Sequence, residues 1–242
     1  MSAALDVRDV TVRYGGNIAV RDVSFDAEPG AVTGLIGPNG AGKTTLFNVV
    51  SGLLAPAKGR VSLAGRDVTR RRPHERSRRG LARTFQRLEL FTLLSVRGNV
   101  RVAASMSRRH RHRDADPDRV ADEVLERVGL SAFADAPVGD LPTGQARLVE
   151  VARALATRPS VLLLDEPASG QDDRETAAFA DLLLGLAGDG IAVVLVEHDV
   201  ELVFRVCSMV HVLDFGELLA SGSPATIKAD ARVRDAYLGV SA

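Results

Sequence analysis

The stretch Gly37-Pro38-Asn39-Gly40-Ala41-Gly42-Lys43-Thr44-Thr45 constrains this chain more than any other. It satisfies G-x-x-x-x-G-K-[ST], with Gly37, Gly42, Lys43 and Thr44 at the fixed positions. Glycines let a backbone curl tightly enough for successive N–H groups to converge on a phosphate. Lys43 brings a mobile positive charge to the β- and γ-phosphates, and Thr44 offers a hydroxyl to Mg²⁺. The flanks agree with this reading. Residues 31–36 read as a short buried strand, and Leu46, Phe47, Val49 and Val50 follow at helical spacing, which sets the phosphates on a helix N-terminus. A plain turn between strand and helix has no need of Lys-Thr in register, so the stretch is read as a nucleotide phosphate site.

A chain of 242 residues suits one large domain, or one domain with an inserted subdomain. Hydrophobic residues at 45% and charged residues at 26% supply a substantial core and argue against disorder. Lys+Arg and Asp+Glu both number 31, and zero net charge argues against a dedicated nucleic-acid binder. A single cysteine, Cys207, excludes an internal disulfide framework and fits a reducing cytosol. The first residues show neither a basic n-region nor an apolar h-region, and no apolar run approaches the roughly 18 residues needed to span a bilayer. The expectation is a soluble protein that reaches a membrane only through a partner.

Leu5-Asp6-Val7 and Val10-Thr11-Val12 alternate like a half-buried strand, Tyr14-Gly15-Gly16 reads as a turn, and residues 18–25 read as the returning strand. Taken alone, Tyr14 is read as packed on a pleated surface, with stacking on adenine the alternative. The basic run Arg70-Arg71-Arg72-Pro73-His74-Glu75-Arg76, ending in Arg78-Arg79-Gly80, is broken by Glu75 and lacks interleaved aromatics. It reads as a solvated face. His110 and His112 suggest a metal pair, but the arginines around them would repel a cation. From Thr84-Phe85-Gln86 to about residue 138 the sequence looks helical and loop-rich. Asp140-Leu141-Pro142-Thr143-Gly144-Gln145 then precedes a helix with Leu148, Val151, Ala152 and Leu155 on one face.

Val161-Leu162-Leu163-Leu164 is a short apolar strand ending in Asp165-Glu166. Carboxylates at the C-terminal end of a buried strand stand where open α/β sheets bind ligands. With a phosphate loop upstream, Asp165 is read as reaching Mg²⁺ through its water shell, and Glu166 as orienting or deprotonating an attacking water. Asp172 and Asp173 suit a helix start, with Phe179, Leu182, Leu183 and Leu186 as its buried stripe. Residues 191–196 form a further buried strand followed by His198. Alone, His198 reads as a structural histidine; beside Asp165 and Glu166 it becomes a γ-phosphate contact. Asp214-Phe215-Gly216 turns a hairpin, and Cys207 is read as inert core on an apolar helix face.

Taken together, these stations resemble the ATP-binding subunits of ABC transporters over nearly the whole chain. That family runs through an aromatic loop, Walker A, Q-loop, signature, Walker B, D-loop and H-loop. Here the order is matched by Tyr14, residues 37–45, Gln86, Leu141-Pro142-Thr143-Gly144-Gln145, residues 162–166, Ser169-Gly170-Gln171-Asp172 and His198. The resemblance implies that Tyr14 stacks on adenine and that Gln86 binds Mg²⁺ and senses a membrane partner. It also implies that Glu166 is the catalytic base and that His198 holds the γ-phosphate. In detail the chain is similar to the ATPases of branched-chain amino acid importers. Arg83-Thr84-Phe85-Gln86 with Leu90-Phe91, Glu166-Pro167-Ala168 with Gly170, Glu197-His198-Asp199 and Ala236-Tyr237-Leu238-Gly239 carry that likeness. The ATPase of lipopolysaccharide export shares several of these stretches. The signature departs from the family's usual Leu-Ser-Gly-Gly-Gln: Pro142 stands where a serine hydroxyl normally meets the γ-phosphate of the opposite subunit.

The resemblance implies an α/β fold: a P-loop NTPase core with an N-terminal antiparallel β hairpin region and an inserted α-helical subdomain. Residues 1–86 and 156–222 would form the nucleotide-binding core, residues 87–155 the helical subdomain with the signature, and residues 223–242 a C-terminal helical tail. Two such subunits would close head to tail over two molecules of ATP, with Mg²⁺. The implied partners are membrane permease subunits, a second ABC ATPase subunit (the same or different) and, indirectly, a solute-binding protein, with no nucleic acid. The implied place is the cytoplasmic face of the cell membrane. Soluble ABC proteins of translation carry two cassettes and those of DNA repair a long coiled coil, neither of which fits 242 residues. A phosphate-loop kinase would have no role for the signature or His198. A binding-only subunit would not need Lys43, Glu166 and His198 together.

Overall fold

Runs that are apolar at every position become strands covered on both faces, and alternating runs become strands at the surface. The computed structural model describes residues 3–110 and 115–238. The chain begins with β1 (Leu5–Tyr14), β2 (Asn17–Ala27) and β3 (Val32–Ile36), then α1 (Lys43–Ser51), β4 (Lys58–Leu63) and β5 (Arg66–Asp67). Next come α2 (Pro73–Ser77), β6 (Leu81–Arg83), α3 (Val96–His110), α4 (Pro117–Arg127) and α5 (Thr143–Leu155). The remainder is β7 (Val161–Asp165), α6 (Asp173–Gly188), β8 (Ala192–Val196), α7 (Val200–Val206), β9 (Met209–Asp214), β10 (Glu217–Gly222) and α8 (Pro224–Ala229). No helix among the described residues is long and apolar enough to cross a membrane.

One sheet is antiparallel, in the order β2-β1-β4-β5; the other runs β10-β9-β3-β8-β7-β6. In the second, β3, β6, β7, β8 and β9 are parallel, with only β10 reversed. Every residue of β3, β7 and β8 is buried. The two-residue period divides β8 between two cores. Val193 and Leu195 join the cluster with α5, α6 and α7, while Ala192, Val194 and Val196 face α1 and the antiparallel sheet. Burying a side chain the size of Val194 stabilises by about 1.5–3 kcal/mol. Val194→Asp would put a carboxylate there with no partner and break the sandwich. This packing aligns the C-terminal ends of β3, β6, β7 and β8 along one edge, where the phosphate loop, Gln86, Glu166 and His198 follow.

The structure corrects three readings and adds one strand. The basic run at residues 70–79 is not wholly solvated, because Arg76 is 1% exposed. Its guanidinium donates to the carbonyls of Val49 and Val50 at the end of α1 and to those of Thr69 and Arg71. A buried helix end leaves carbonyls without partners, and arginine carries enough N–H groups to satisfy several at once. Residues 81–83 form a strand, β6, not anticipated from the sequence; at three residues it is too short to show a period. Tyr14 is half exposed rather than packed, because it ends β1 at the hairpin tip. Cys207 is buried, but just beyond α7 rather than on its face, and burial pushes its thiol up to about 12. His112 and the side chain of His110 lie outside what the structure describes, as does Gly239.

Candidate functional site

The phosphate loop is wedged between two strands, which explains its glycines. A Cβ on Gly37 would overlap the Leu213 carbonyl of β9, and one on Gly42 would lie 2.8 Å from the Ala19 carbonyl of β2. Both glycines also adopt positive φ, at 148° and 106°. Gly216, in the β9–β10 turn, donates to the Ala41 carbonyl at 3.0 Å, and Ala41 donates to Pro38 at 3.2 Å. Asn39 and Gly40 stand exposed at the loop tip, and Thr44 and Thr45 open the first turn of α1. The first N–H groups of α1 have no partner within the helix and form an anion seat. Lys43 is buried, its ammonium held by the carbonyls of Gly37 at 2.5 Å and Pro38 at 3.0 Å. Burial pulls its pKa down, against the opposing pull of Glu166 and Asp165.

Strand pairing brings the acids to this loop. Asp165 pairs with Val196 across β7 and β8, so His198 lies two residues beyond the same level. Leu163 pairs with Arg83 across β7 and β6, which carries Gln86 to the same edge. Glu166 follows β7 with φ 51°, and its N–H donates to the Val196 carbonyl at 2.9 Å. Its carboxylate accepts the Gln86 amide, 3.1 Å from both oxygens, and lies 2.9 Å from His198 Nε2. Three predicted residues thus meet within hydrogen-bond distance, although Gln86 and His198 lie 80 and 32 positions away in sequence.

Asp165 sits deeper, at 2% exposure. Its Oδ2 accepts from Arg83 Nη2 at 3.1 Å, while its Oδ1 is buried and has no hydrogen-bond partner. Burial pushes its pKa up, and the Arg83 guanidinium opposes that. A buried carboxylate with one unpartnered oxygen, close enough to Lys43 of the phosphate loop to feel its charge, fits a hard cation such as Mg²⁺. Two residues here were given no role from the sequence. Arg83 lies within the quoted Arg-Thr-Phe-Gln stretch. Glu197 is buried and accepts the backbone N–H groups of Ala168 at 2.8 Å and His198 at 3.1 Å, tying the segment after β7 to the one after β8. It too lies within a quoted stretch, Glu197-His198-Asp199.

The signature residues face elsewhere. Pro142 is the N-cap of α5, and its carbonyl accepts from Ala146 at 2.9 Å. A Cβ on Gly144 would lie 3.2 Å from both Gln171 Cγ and Glu175 Oε2, and one on Gly170 would lie 3.4 Å from Thr143 Cγ2, so Thr143 and Gly144 pack against α6 and the D-loop of their own chain. That loop starts at Ser169, whose N–H lies 3.4 Å from the Glu166 carbonyl. It ends at Asp172, which caps α6 in a reciprocal box with Glu175. Among the described residues no hydrogen bond joins 141–145 to 37–45. Tyr14, at the end of β1, leaves its ring half exposed.

Comparison with known proteins places this geometry. A profile described as ABC transporter matches residues 20–169, and one described as branched-chain amino acid ATP-binding cassette transporter matches residues 217–242. The high-affinity branched-chain amino acid transport ATP-binding protein BraF of Pseudomonas aeruginosa is 37% identical over 97% of each chain. The lipopolysaccharide export system ATP-binding protein LptB of Acidithiobacillus ferridurans is 36% identical over 99% of this chain and 98% of its own. The crystal structure of an ATP-binding cassette of an ABC transporter superposes with a TM-score of 0.89, at 28% identity, over 98% of this chain and 99% of that one. A dimeric cassette in a post-hydrolysis state, bound to ADP and Pi, superposes at 0.80, with 26% identity, over 91% and 98%. With its phosphate loop, paired acids and P-loop NTPase fold, the chain belongs to the ABC transporter family, as an ATP-hydrolysing, ATP-binding subunit.

Proposed function

We propose that this subunit powers import of branched-chain or related amino acids, with Glu166 as the base that activates the attacking water. The observation that carries the chemistry is the Glu166 carboxylate, held between Gln86 and His198 at the edge where the phosphate loop opens. In this reading the loop from Gly37 to Thr45 wraps the phosphates, Tyr14 stacks on adenine and His198 holds the γ-phosphate. Thr44, Gln86 and, through water, Asp165 hold Mg²⁺, which when bound neutralises charge developing on the phosphates. A base acts once it is within reach of the water proton, and two neighbours already fix the Glu166 carboxylate in direction.

No hydrogen bond among the described residues joins 141–145 to their own phosphate loop, and in this reading they serve the ATP of a second cassette, the same or different. The dimeric relative bound to ADP and Pi supports that arrangement. Residues 1–86 and 156–222 form the core, 87–155 the helical insertion and 223–242 the tail. A cleft of about 290 Å³ lined by Phe85, Glu89, Arg153, Leu53 and Pro73 lies directly after β6 and receives a permease segment on the inner face of the membrane. Amino-acid import is supported by the likeness to BraF and by the match of residues 217–242 to the branched-chain profile.

Glu166→Gln is nearly isosteric but cannot accept a proton. It is expected to keep ATP binding, lower turnover by about 10²–10⁴-fold and favour an ATP-dependent dimer on gel filtration. Undiminished turnover would exclude Glu166 as the base. Isolating the intact complex from membranes and measuring its uptake of leucine against lipopolysaccharide extraction tests the transported solute.

A further inference from the structure

Arg83 ends β6 with its side chain only 6% exposed, and it makes three polar contacts in two directions. Its Nη2 donates to Asp165 Oδ2 at 3.1 Å, and its Nη1 donates to Asn48 Oδ1 at 2.7 Å and Ser51 Oγ at 3.1 Å, both on α1. The guanidinium also lies against two aromatic rings, 5.4 Å from the centre of Phe47 and 5.0 Å from that of Phe85. Hydrogen bonds and rings thus leave it little freedom to turn. The unusual feature is what it omits. A guanidinium paired with a carboxylate for stability alone commonly engages both oxygens. Here one oxygen is held and the other, Oδ1, is left buried and unpartnered. An unsatisfied buried oxygen is costly, and one beside a phosphate loop is explained by a ligand that completes it.

We propose that Arg83 is a positioning residue: it fixes Asp165 by Oδ2 so that Oδ1 faces the water shell of a nucleotide-bound Mg²⁺, and it locks that orientation to the phosphate-loop helix through Asn48 and Ser51. This rests on the Mg²⁺ reading of Asp165 given above. Arg83 touches neither nucleotide nor ion, so it acts only through the carboxylate. Its removal therefore weakens the part of ATP binding that Mg²⁺ adds and spares the part due to the loop itself.

The test measures ATP affinity of the full chain by calorimetry, in Mg²⁺ and in EDTA, for the parent, Arg83→Met and Arg83→Lys. Arg83→Met keeps the length and removes the charge and all three bonds; it is expected to bind ATP in EDTA within about threefold of the parent, while the gain from Mg²⁺ falls about tenfold. Arg83→Lys keeps a buried cation for Asp165 but cannot bridge to both Asn48 and Ser51, and should recover part of the gain. It also carries the test if Arg83→Met does not fold, with a loss of about threefold expected. Folded variants with the parent's full Mg²⁺ gain would overturn the proposal. So would an equal loss in Mg²⁺ and in EDTA, which marks a general collapse of the loop. A parent whose affinity ignores Mg²⁺ would overturn the Mg²⁺ reading and this role with it, and the parent alone distinguishes that result.

Discussion

Arg76→Met tests whether a buried arginine anchors the phosphate-loop helix from behind. Arg76 donates to Val49 O at 2.6 Å and Val50 O at 2.7 Å, both fully buried contacts, and to Thr69 O at 2.8 Å and Arg71 O at 3.0 Å, which are partly buried. It also places a cation on the C-terminal end of α1, the end where the helix dipole favours one. Hydrogen bonds to a charged group contribute about 1.5–3 kcal/mol each, so four would sum to about 6–12 kcal/mol. Two effects reduce that sum. Burial lowers the Arg76 pKa from 12.5 to about 10, which corresponds to about 3 kcal/mol of desolvation cost. Water also reaches the Thr69 and Arg71 carbonyls once the side chain is gone. A net loss of about 4 kcal/mol remains, and at about 2–4 °C per kcal/mol for a chain of this size the melting temperature should fall by about 8–16 °C. Arg76→Lys keeps the charge but cannot reach all four carbonyls, and should lose about half as much. Circular-dichroism melts at pH 7 decide it. A Met variant melting within about 3 °C of the parent would refute the argument.

Lys43→Ala removes a charge-assisted phosphate contact and should weaken ATP binding by about 10–100-fold; equal affinity by equilibrium dialysis would contradict the phosphate-loop reading. His211 is buried, its Nδ1 2.8 Å from Ser221 Oγ and its ring 5.5 Å from that of Phe25; burial lowers its pKa from 6.5 to about 4, against the opposing pull of Asp26. Its contribution is therefore complete above pH 6.5 and is lost as pH falls through 4, so urea midpoints should show His211→Gln losing about 2–3 kcal/mol less stability than the parent between pH 7 and 4.5. Pro142→Ser supplies the side-chain cap that α5 lacks, at a backbone angle of φ −54° that serine accepts, and should stabilise the helix by about 0.5–1 kcal/mol. The same hydroxyl should raise turnover of the assembled complex without tightening ATP on this chain's own loop; unchanged turnover would mean the opposite site already has its donors.

The phosphate loop was legible because its residues are local and in fixed register, and β3, β7 and β8 because burial on both faces leaves an unbroken apolar run. The meeting of Gln86, Glu166 and His198 was not readable from spacing, since it depends on the order of β6, β7 and β8; the reading of His198 beside Glu166 required that β7 and β8 be neighbours, and they are. Charged residues that the fold encloses were the ones missed. Arg76 sits among solvated arginines and differs from them only because α1 ends beside it. Arg83 and Glu197 look like ordinary surface charges until Asn48, Ser51, Asp165 and the Ala168 N–H surround them. Whether a charge is buried depends on distant acceptors, and no local window contains them.

Asp165 and Glu166 show how adjacent acids of similar chemistry acquire different environments. Side chains alternate along a strand, so Asp165, the last residue of β7, points inward to Arg83 and α1. Had the strand continued, Glu166 would simply have pointed to the opposite face. Instead it adopts φ 51°, a conformation that costs a non-glycine residue about 1–2 kcal/mol. Its N–H is still satisfied by Val196, and its carboxylate is turned to Gln86 and His198. The strain is retained because β8 supplies both the carbonyl and, two residues on, the histidine. One acid is thereby buried and half satisfied, suited to a metal's water shell, while its neighbour stays accessible at the edge, suited to taking a proton. That difference in environment depends on a single backbone angle, held by a bond from the neighbouring strand.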